Sequence, residues 1–396
     1  MSNGQVIPQR DVSDASVHLD AIRGLAALVV FLGHGRSLFL SSGVGAALVG
    51  AGGGPDNGIS QELTRNAIGH EAVIIFFVLS GYLVGGSVLR ALKRNRFSWS
   101  SYLFQRGTRL WVPLIPAVLL GWTLDYCGIH LLQNAHDIYS APVEQATLPP
   151  GMGERMGLST ILGNIVLLPG DMVKMVGSNA SLWSLAYEAW YYVFFPLLMI
   201  ALFTAKALPL RLAAALGLIA AMLFCGQDIV LWFPVWLLGA VVAALPQGLP
   251  SGARRPVTAV LGLLLIAVLV LALKIPMLPL ASDMAIGAAF SMFLWAVLHA
   301  RGSTAPSWYR RPAMGLSKMS YTLYLAHLPV LVLICACLMP VWKPWPVTPH
   351  SLAMLSGVYA FAFLVCWLLY IAFERNTDAI RLWLLRSRAS TARARA

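Results

Sequence analysis

Long apolar segments alternate with short polar connections along most of the chain. We count ten such segments, each close to the roughly 20 apolar residues that an α-helix needs to cross a bilayer. They lie near residues 21–41, 71–89, 110–128, 183–203, 210–226, 229–246, 257–273, 284–299, 320–339 and 351–373. The pattern predicts an all-α integral membrane protein, a polytopic bundle of about ten transmembrane helices.

Composition supports this prediction, and the distribution of charge gives it a direction. The chain of 396 residues is 58% hydrophobic and 11% charged, whereas soluble domains carry about 25% charged residues. Its net charge of +12 comes mainly from lysines and arginines in the connections on the side of the N-terminus, and most acidic residues lie on the other side. Because cytoplasmic loops are enriched in Lys and Arg, we expect both termini in the cytoplasm. Membrane topology then accounts for the excess positive charge, and a nucleic-acid partner is not required to explain it.

The spans divide the chain into three parts. We predict a cytoplasmic N-terminal segment at residues 1–18, a transmembrane domain at 19–375 and a basic cytoplasmic tail at 376–396. Any chemistry must therefore lie within the bundle or in its loops.

Two outer connections are long. The first, 42–70, is rich in glycine, and we predict that it is flexible. The second, 129–182, holds an apolar piece near 158–168 that is too short to span, so it lies at the interface or re-enters the bundle.

The tail from Arg386 onward is predicted to be a disordered basic end near anionic membrane lipid.

The first candidate site residues are Arg23 and His34. They lie eleven positions apart in the first apolar segment, nearly on one helix face and roughly 16 Å apart along the axis. Ionisable groups at membrane depth are costly and commonly functional. A neutral histidine can act as a general base, although a histidine that only bonds two helices together is the alternative.

Arg106 and Arg109 lead into the third span and share a helix face. The planar guanidinium group of arginine can donate two parallel hydrogen bonds to a phosphate, so with Arg23 these residues could form a cytoplasmic anion site. The alternative is topology alone, because Lys and Arg are expected in cytoplasmic loops.

The fourth and ninth spans carry two polar stripes. Ser184 and Glu188 share a face near the outer side, where Glu188 could neighbour His34 and support it. Tyr187 lies between them, in what could equally be an interfacial aromatic belt. Tyr324 and His327 form the second stripe, with His327 predicted in the inner half, far from His34 in depth.

Ser80, in the run Phe76–Leu83 of the second span, could act as a nucleophile, but no strand–turn–helix context supports that role. We favour close helix packing for this segment, because Ser80 and the glycine after it are small.

Five segments together resemble the membrane acyltransferase-3 family, over nearly the whole chain from Leu19 to about Phe373. The Leu-Asp-x-x-Arg-Gly start, with ten residues between its arginine and a histidine, resembles the most diagnostic family motif. The matching residues are Arg23 and His34, Arg106 and Arg109, the run Phe76–Leu83, Trp183-Ser184-Leu185-x-x-Glu188, and Ser320-Tyr321-x-x-Tyr324-Leu325-x-His327.

The resemblance implies an O-acyltransferase of the bacterial inner membrane. The donor co-substrate would be acyl-CoA, most often acetyl-CoA, with no metal, and the acceptor a hydroxyl of a cell-envelope carbohydrate or lipid-linked glycan. Arg23, Arg106 and Arg109 would bind the polyanionic CoA, and His34 would be the general base.

The resemblance also implies roles for the polar stripes. Glu188 would support His34 or contact the acceptor, and Ser184, Tyr187, Tyr324 and His327 would contact substrate. The competing class is a transporter or flippase of an envelope precursor, with His34 as a proton relay. A structural scaffold in an envelope assembly is a third class, for which His34 would be dispensable.

Overall fold

A computed structural model describes residues 14–41, 69–132, 136–140, 148–203, 206–246, 248–275, 277–299 and 306–394. These residues form helices and connections, with an isolated bridge between Leu40 and Trp345. The prediction of an all-α protein is therefore confirmed for the described part of the chain. Most of the first long outer loop, predicted to be flexible, lies outside it.

The described residues form ten long helices. They are α1 (Asp14–Phe39), α2 (Gly69–Lys93), α3 (Trp99–Leu131), α4 (Leu182–Phe203), α5 (Leu208–Ala244), α6 (Ser251–Lys274), α7 (Pro279–Leu298), α8 (Ser307–Leu338), α9 (Pro349–Ala372) and α10 (Thr377–Ala394). The length and apolarity of a membrane span are reached by each of α1 to α8 and by α9 together with α10, nine candidate spans in all. Shorter helical turns are His136–Tyr139, Met152–Arg155, Leu158–Ile165 and Glu374–Asn376.

Helix α5 is broken in its middle at Gly226. This glycine has φ 77° and ψ 174°, which no residue of an α-helix adopts and which favours glycine. The break divides α5 into segments 208–225 and 227–244, each roughly 27 Å long and close to the thickness of a bilayer core. The break lies beside Asp171, in the second long outer connection.

The packing of α8 shows that the two segments of α5 cross the bundle separately. Helix α8 runs parallel to α1, since Arg23 bonds Ser317 and His34 bonds His327. Helix α4 runs antiparallel to α8, because Ser184 bonds Tyr324 and Glu188, one turn later in α4, lies near Tyr321, one turn earlier in α8. Helix α4 therefore ends where α8 begins, and an even number of crossings must connect them. Helices α5, α6 and α7 give an even number of crossings, namely four, only if α5 crosses the bundle twice. This count confirms a bundle of about ten spans.

The apolar surface of the bundle is consistent with a lipid environment. Helix α6 has the highest hydropathy of the candidate spans, yet among its described residues Leu265 alone is buried within the protein. A helix that is apolar all round and so little buried is accounted for by contact with lipid. Which side of the membrane is cytoplasmic stays a prediction from the charge distribution.

The short helix Leu158–Ile165 occupies the apolar piece of the second outer loop. Trp122 of α3 donates a hydrogen bond to the Met156 carbonyl at 3.0 Å, and Trp111, eleven residues back along α3, donates to the Ile165 carbonyl at 2.8 Å. The short helix thus runs beside α3 for roughly 16 Å toward the other side. Of the two predicted placements, this geometry favours re-entry.

The C-terminal tail differs from its prediction. Residues 377–394 form helix α10, so the described tail beyond Arg386 is helical instead of disordered. The reason is its composition, because arginine and alanine are among the strongest helix formers. Trp383 is 65% exposed on α10.

Candidate active site

A cavity of about 110 Å³, lined by apolar, polar and charged side chains, lies between α1, α2, α3, α4 and α8. One end is charged and the other is more apolar. The polar and charged side chains lining it are Arg23, Ser80, Arg106, Arg109, Ser184, Glu188, Tyr192, Ser320, Tyr321, Tyr324 and Glu374.

Arg23 anchors the charged end. Its Nη2 donates to the Ser317 hydroxyl at 2.6 Å and to the Ser317 carbonyl at 3.1 Å, and lies 3.6 Å from a carboxylate oxygen of Asp20. Its Nε is buried and has no hydrogen-bond partner among the described residues. One face of this guanidinium group therefore retains an unused donor.

Arg106 and Arg109 approach the same end from α3, as their spacing predicted. The guanidinium carbon of Arg106 lies 5.9 Å from the centre of the Tyr102 ring, in cation–π contact. The Arg106 Nε is also buried without a partner in the described part of the chain. Thus the three predicted anion-binding arginines do line one cavity.

Glu188 lies at this charged end and accepts hydrogen bonds from the Tyr192 hydroxyl and, at 2.7 Å, from the Ser80 hydroxyl. Trp236 in turn donates to Ser80 at 3.1 Å. Ser80, for which we favoured packing, thus lines the cavity as well as packing the helices. Its position just before the π-helical turn Gly81–Gly85 is typical of functional segments.

The predicted pairing of Glu188 with His34 is not the arrangement found. Gly69 of α2 lies against His34, since a Cβ on it would be 3.9 Å from the His34 Nε2. Ser80, eleven residues further along α2, bonds Glu188, which places this carboxylate roughly 16 Å from the histidine.

Glu374 is a cavity residue that the sequence reasoning missed. It follows α9 directly, and its Oε2 accepts from the Thr322 backbone N–H at 2.9 Å and the Thr322 hydroxyl at 2.5 Å. The available signal was an acidic residue directly after a span, on the side where basic residues predominate.

The more apolar end of the cavity is formed by Ser184, Tyr324 and the apolar residues Val73 and Phe76. The Ser184 and Tyr324 hydroxyls are 2.6 Å apart, so the two predicted substrate-contact residues meet across α4 and α8. Val73 is one helical turn after Gly69, so this end lies about one turn from the level of His34.

His34 and His327 are hydrogen-bonded, with His34 Nδ1 at 2.8 Å from His327 Nε2 and the rings nearly parallel. The prediction that His327 lies far from His34 in depth is wrong. Helix α8 begins at Ser307, well before the apolar segment begins, so His327 is twenty residues along it. That places it at the same depth as His34.

A second polar cluster lies beside this histidine pair. His70 Nε2 is 2.9 Å from both carboxylate oxygens of Asp283, and Trp232 donates to the same carboxylate at 2.6 Å. The ring of His70 stacks on Trp183 at 6.2 Å between centroids. The sequence reasoning did not single out His70 or Asp283.

Tyr187 does not line the main cavity. Its ring is parallel to Phe77 at 6.2 Å, and with Trp183, Asp171 and Asp228 it lines a smaller pocket beside the break in α5. The structure therefore separates Tyr187 from Ser184 and Tyr324.

Among the described residues, no group of three or more His, Cys, Asp and Glu side chains has an arrangement that could hold a metal ion.

Long apolar helices thus enclose a cavity with a charged end, and a histidine pair lies about one helical turn beyond its other end, an arrangement that suits an enzyme embedded in the membrane. The profile of the acyltransferase-3 family, described as an acyltransferase domain, matches residues 17–379. The chain therefore belongs to this family and is a membrane acyltransferase. No curated protein and no solved structure matches the chain.

Proposed function

We propose that this enzyme transfers a short acyl group, acetyl above all, from acyl-CoA to a hydroxyl of a cell-envelope carbohydrate or lipid-linked glycan. The proposal rests on the cavity, which joins a cluster of three arginines to a level about one helical turn from His34. A long donor that is anionic at one end and carries its thioester at the other fits these two ends.

The arginine end supports an anionic ligand. Arg23 and Arg106 each keep a buried Nε without a described partner, and such donors are costly unless a ligand uses them. The carboxylates of Glu188 and Glu374 also line this end, but both already accept hydrogen bonds from protein hydroxyls. They leave the guanidinium groups available for the phosphates of CoA.

The chemistry that we propose for His34 is general-base catalysis. Its Nε2 takes the proton of the acceptor hydroxyl as the oxygen attacks the thioester carbonyl. The carbon–sulfur bond then breaks, and the thiolate leaves and takes up the proton. An ester and free CoA thiol are the products, so no further reactant is required.

We propose that the acceptor reaches His34 from the side opposite to the arginines. His34 lies near the outer end of α1, beside Gly69, which follows the first long outer loop. If the arginine end faces the cytoplasm, as the charge distribution predicts, the donor and acceptor arrive from opposite sides. A bacterial inner membrane is the location that fits this arrangement.

Release of CoA thiol tests the proposal against a transporter. Purified enzyme in proteoliposomes should consume acetyl-CoA and label an envelope glycan fraction with the acetyl group. A transporter or flippase would move its cargo without releasing thiol. Mass spectrometry of envelope glycans and lipids, from cells with and without the protein, would identify the acceptor.

Arg106→Ala is expected to weaken CoA binding by about 10- to 100-fold, because a hydrogen bond to a charged group contributes about 1.5–3 kcal/mol. Isothermal titration with CoA measures the change. Arg96→Ala is the matched control, since Arg96 is exposed in the same basic segment and does not line the cavity. Equal affinity of the two variants would contradict the phosphate role of Arg106.

A further inference from the structure

The hydrogen bonds of His327 determine where its proton lies. Its Nδ1 is 2.8 Å from the backbone carbonyl oxygen of Leu323, one turn earlier in α8. A carbonyl oxygen can only accept, so Nδ1 must carry the hydrogen. In a neutral imidazole the other nitrogen then has a lone pair, and the Nε2 of His327 is an acceptor.

The position of the hydrogen on His327 also determines the position of the hydrogen on His34, because the two rings are hydrogen-bonded to each other. Because His327 Nε2 accepts, the His34 Nδ1 at 2.8 Å must donate. The His34 Nε2 is then left with its lone pair, and it faces Gly69, where the missing side chain leaves room. The nitrogen available to a substrate is therefore the one able to take a proton.

The surroundings favour neutral rings. His327 is 0% exposed, and its ring contacts are Phe31, Tyr324 and His34, none of them an acid. A doubly protonated His327 would place a charge in this setting without a carboxylate in contact, which is costly.

We propose that His327 is a positioning residue that fixes the tautomer of His34 and keeps the His34 Nε2 ready as the base. This inference rests on the proposed function of His34. Both ring nitrogens of His327 are already bonded, so it has none to offer a substrate. When His34 takes a proton at Nε2, its Nδ1–H remains bonded to His327, which stabilises the imidazolium.

Nitrogen-15 NMR of the histidine rings tests the tautomer without any substrate. The enzyme carries eight histidines, and variants lacking one ring assign its signals. In the wild type we expect His34 to show a protonated Nδ1 and a bare Nε2, and His327 the same. A hydrogen on the His34 Nε2 would overturn the proposal, whatever the activity of the enzyme.

Substitution of His327 tests the consequence for catalysis. His327→Phe keeps a ring in the site but removes the acceptor, so we expect kcat to fall about 10- to 100-fold with KM for acetyl-CoA unchanged. His327→Gln can still accept from His34 Nδ1 through its amide oxygen and should retain most of the activity. The matched control is His350→Phe, at an exposed position.

The possible outcomes separate this proposal from the proposed function. Wild-type kcat in His327→Phe would overturn the positioning role, and so would equal losses in the Phe and Gln variants. If the NMR signals show the expected tautomer but His34→Ala remains fully active, the general-base function fails while the assigned hydrogen bonds stand. If the Phe variant does not fold, the wild-type spectrum and the Gln variant still decide.

Discussion

Replacing His34 by alanine is expected to lower the turnover number by about 10²- to 10⁴-fold, the contribution typical of a positioned general base. The Kd for CoA should stay unchanged, because Arg23, roughly 16 Å away along α1, and the other arginines hold the anionic end of the donor. Thiol release at saturating acetyl-CoA measures turnover, and titration with CoA measures binding.

Two observations separate lost chemistry from lost structure in this variant. The His34→Ala protein should elute as the wild type does and should bind CoA with the same affinity. His350→Ala, at an exposed position, should remain fully active. Turnover within a fewfold of wild type in His34→Ala would exclude the general-base role.

The membrane spans could be predicted because hydropathy alone sets them. An apolar segment of about 20 residues has few alternatives to a helix in lipid, where backbone groups must bond within the segment. Even the break at Gly226 was predictable, because Gln227 and Asp228 interrupt the apolar run of α5 directly after it. The kink at Gly226 agrees with the prediction of separate spans at residues 210–226 and 229–246.

The depth of His327 could not be predicted, because hydropathy does not reveal helices that extend beyond the apolar core. Residues 307–319 of α8 include Arg310, Arg311 and Lys318, so the apolar segment seemed to begin at Ser320. In the folded chain these residues continue α8, and Ser317 lies beside Arg23. The register between α1 and α8 then brings His327 to His34.

The position of Glu188 was mispredicted for a related reason. Depth was counted from the ends of each apolar segment, which places residues along one helix but not against its neighbours. The pairing of Glu188 with Ser80 depends on how α2 packs against α4 and α5. The arginine cluster was predicted because its members share one charge and one side of the membrane.

The close packing of α2 on α5 depends on two glycines. A Cβ on Gly239 would lie 1.9 Å from the Val78 carbonyl oxygen, and one on Gly81 would lie 2.0 Å from the Trp236 carbonyl oxygen. Both neighbouring atoms belong to the backbone, so no side-chain rotation can relieve the overlap. This contact also holds Ser80 against Trp236 and Glu188, at the charged end of the cavity.

Gly239→Ala is therefore expected to lower the free energy of unfolding by about 3 kcal/mol or more, the upper end of the cost of overpacking. Gly357→Ala adds the same methyl group to α9, where nothing lies within 4 Å, and should leave stability unchanged or raise it by about 0.5–1 kcal/mol. Thermal unfolding in detergent compares the two variants.

Because the displaced helix carries Ser80, CoA binding should weaken along with stability. A Gly239→Ala protein as stable as the wild type would show that α2 and α5 do not pack this closely, and the placement of Ser80 beside Glu188 would then lose its support.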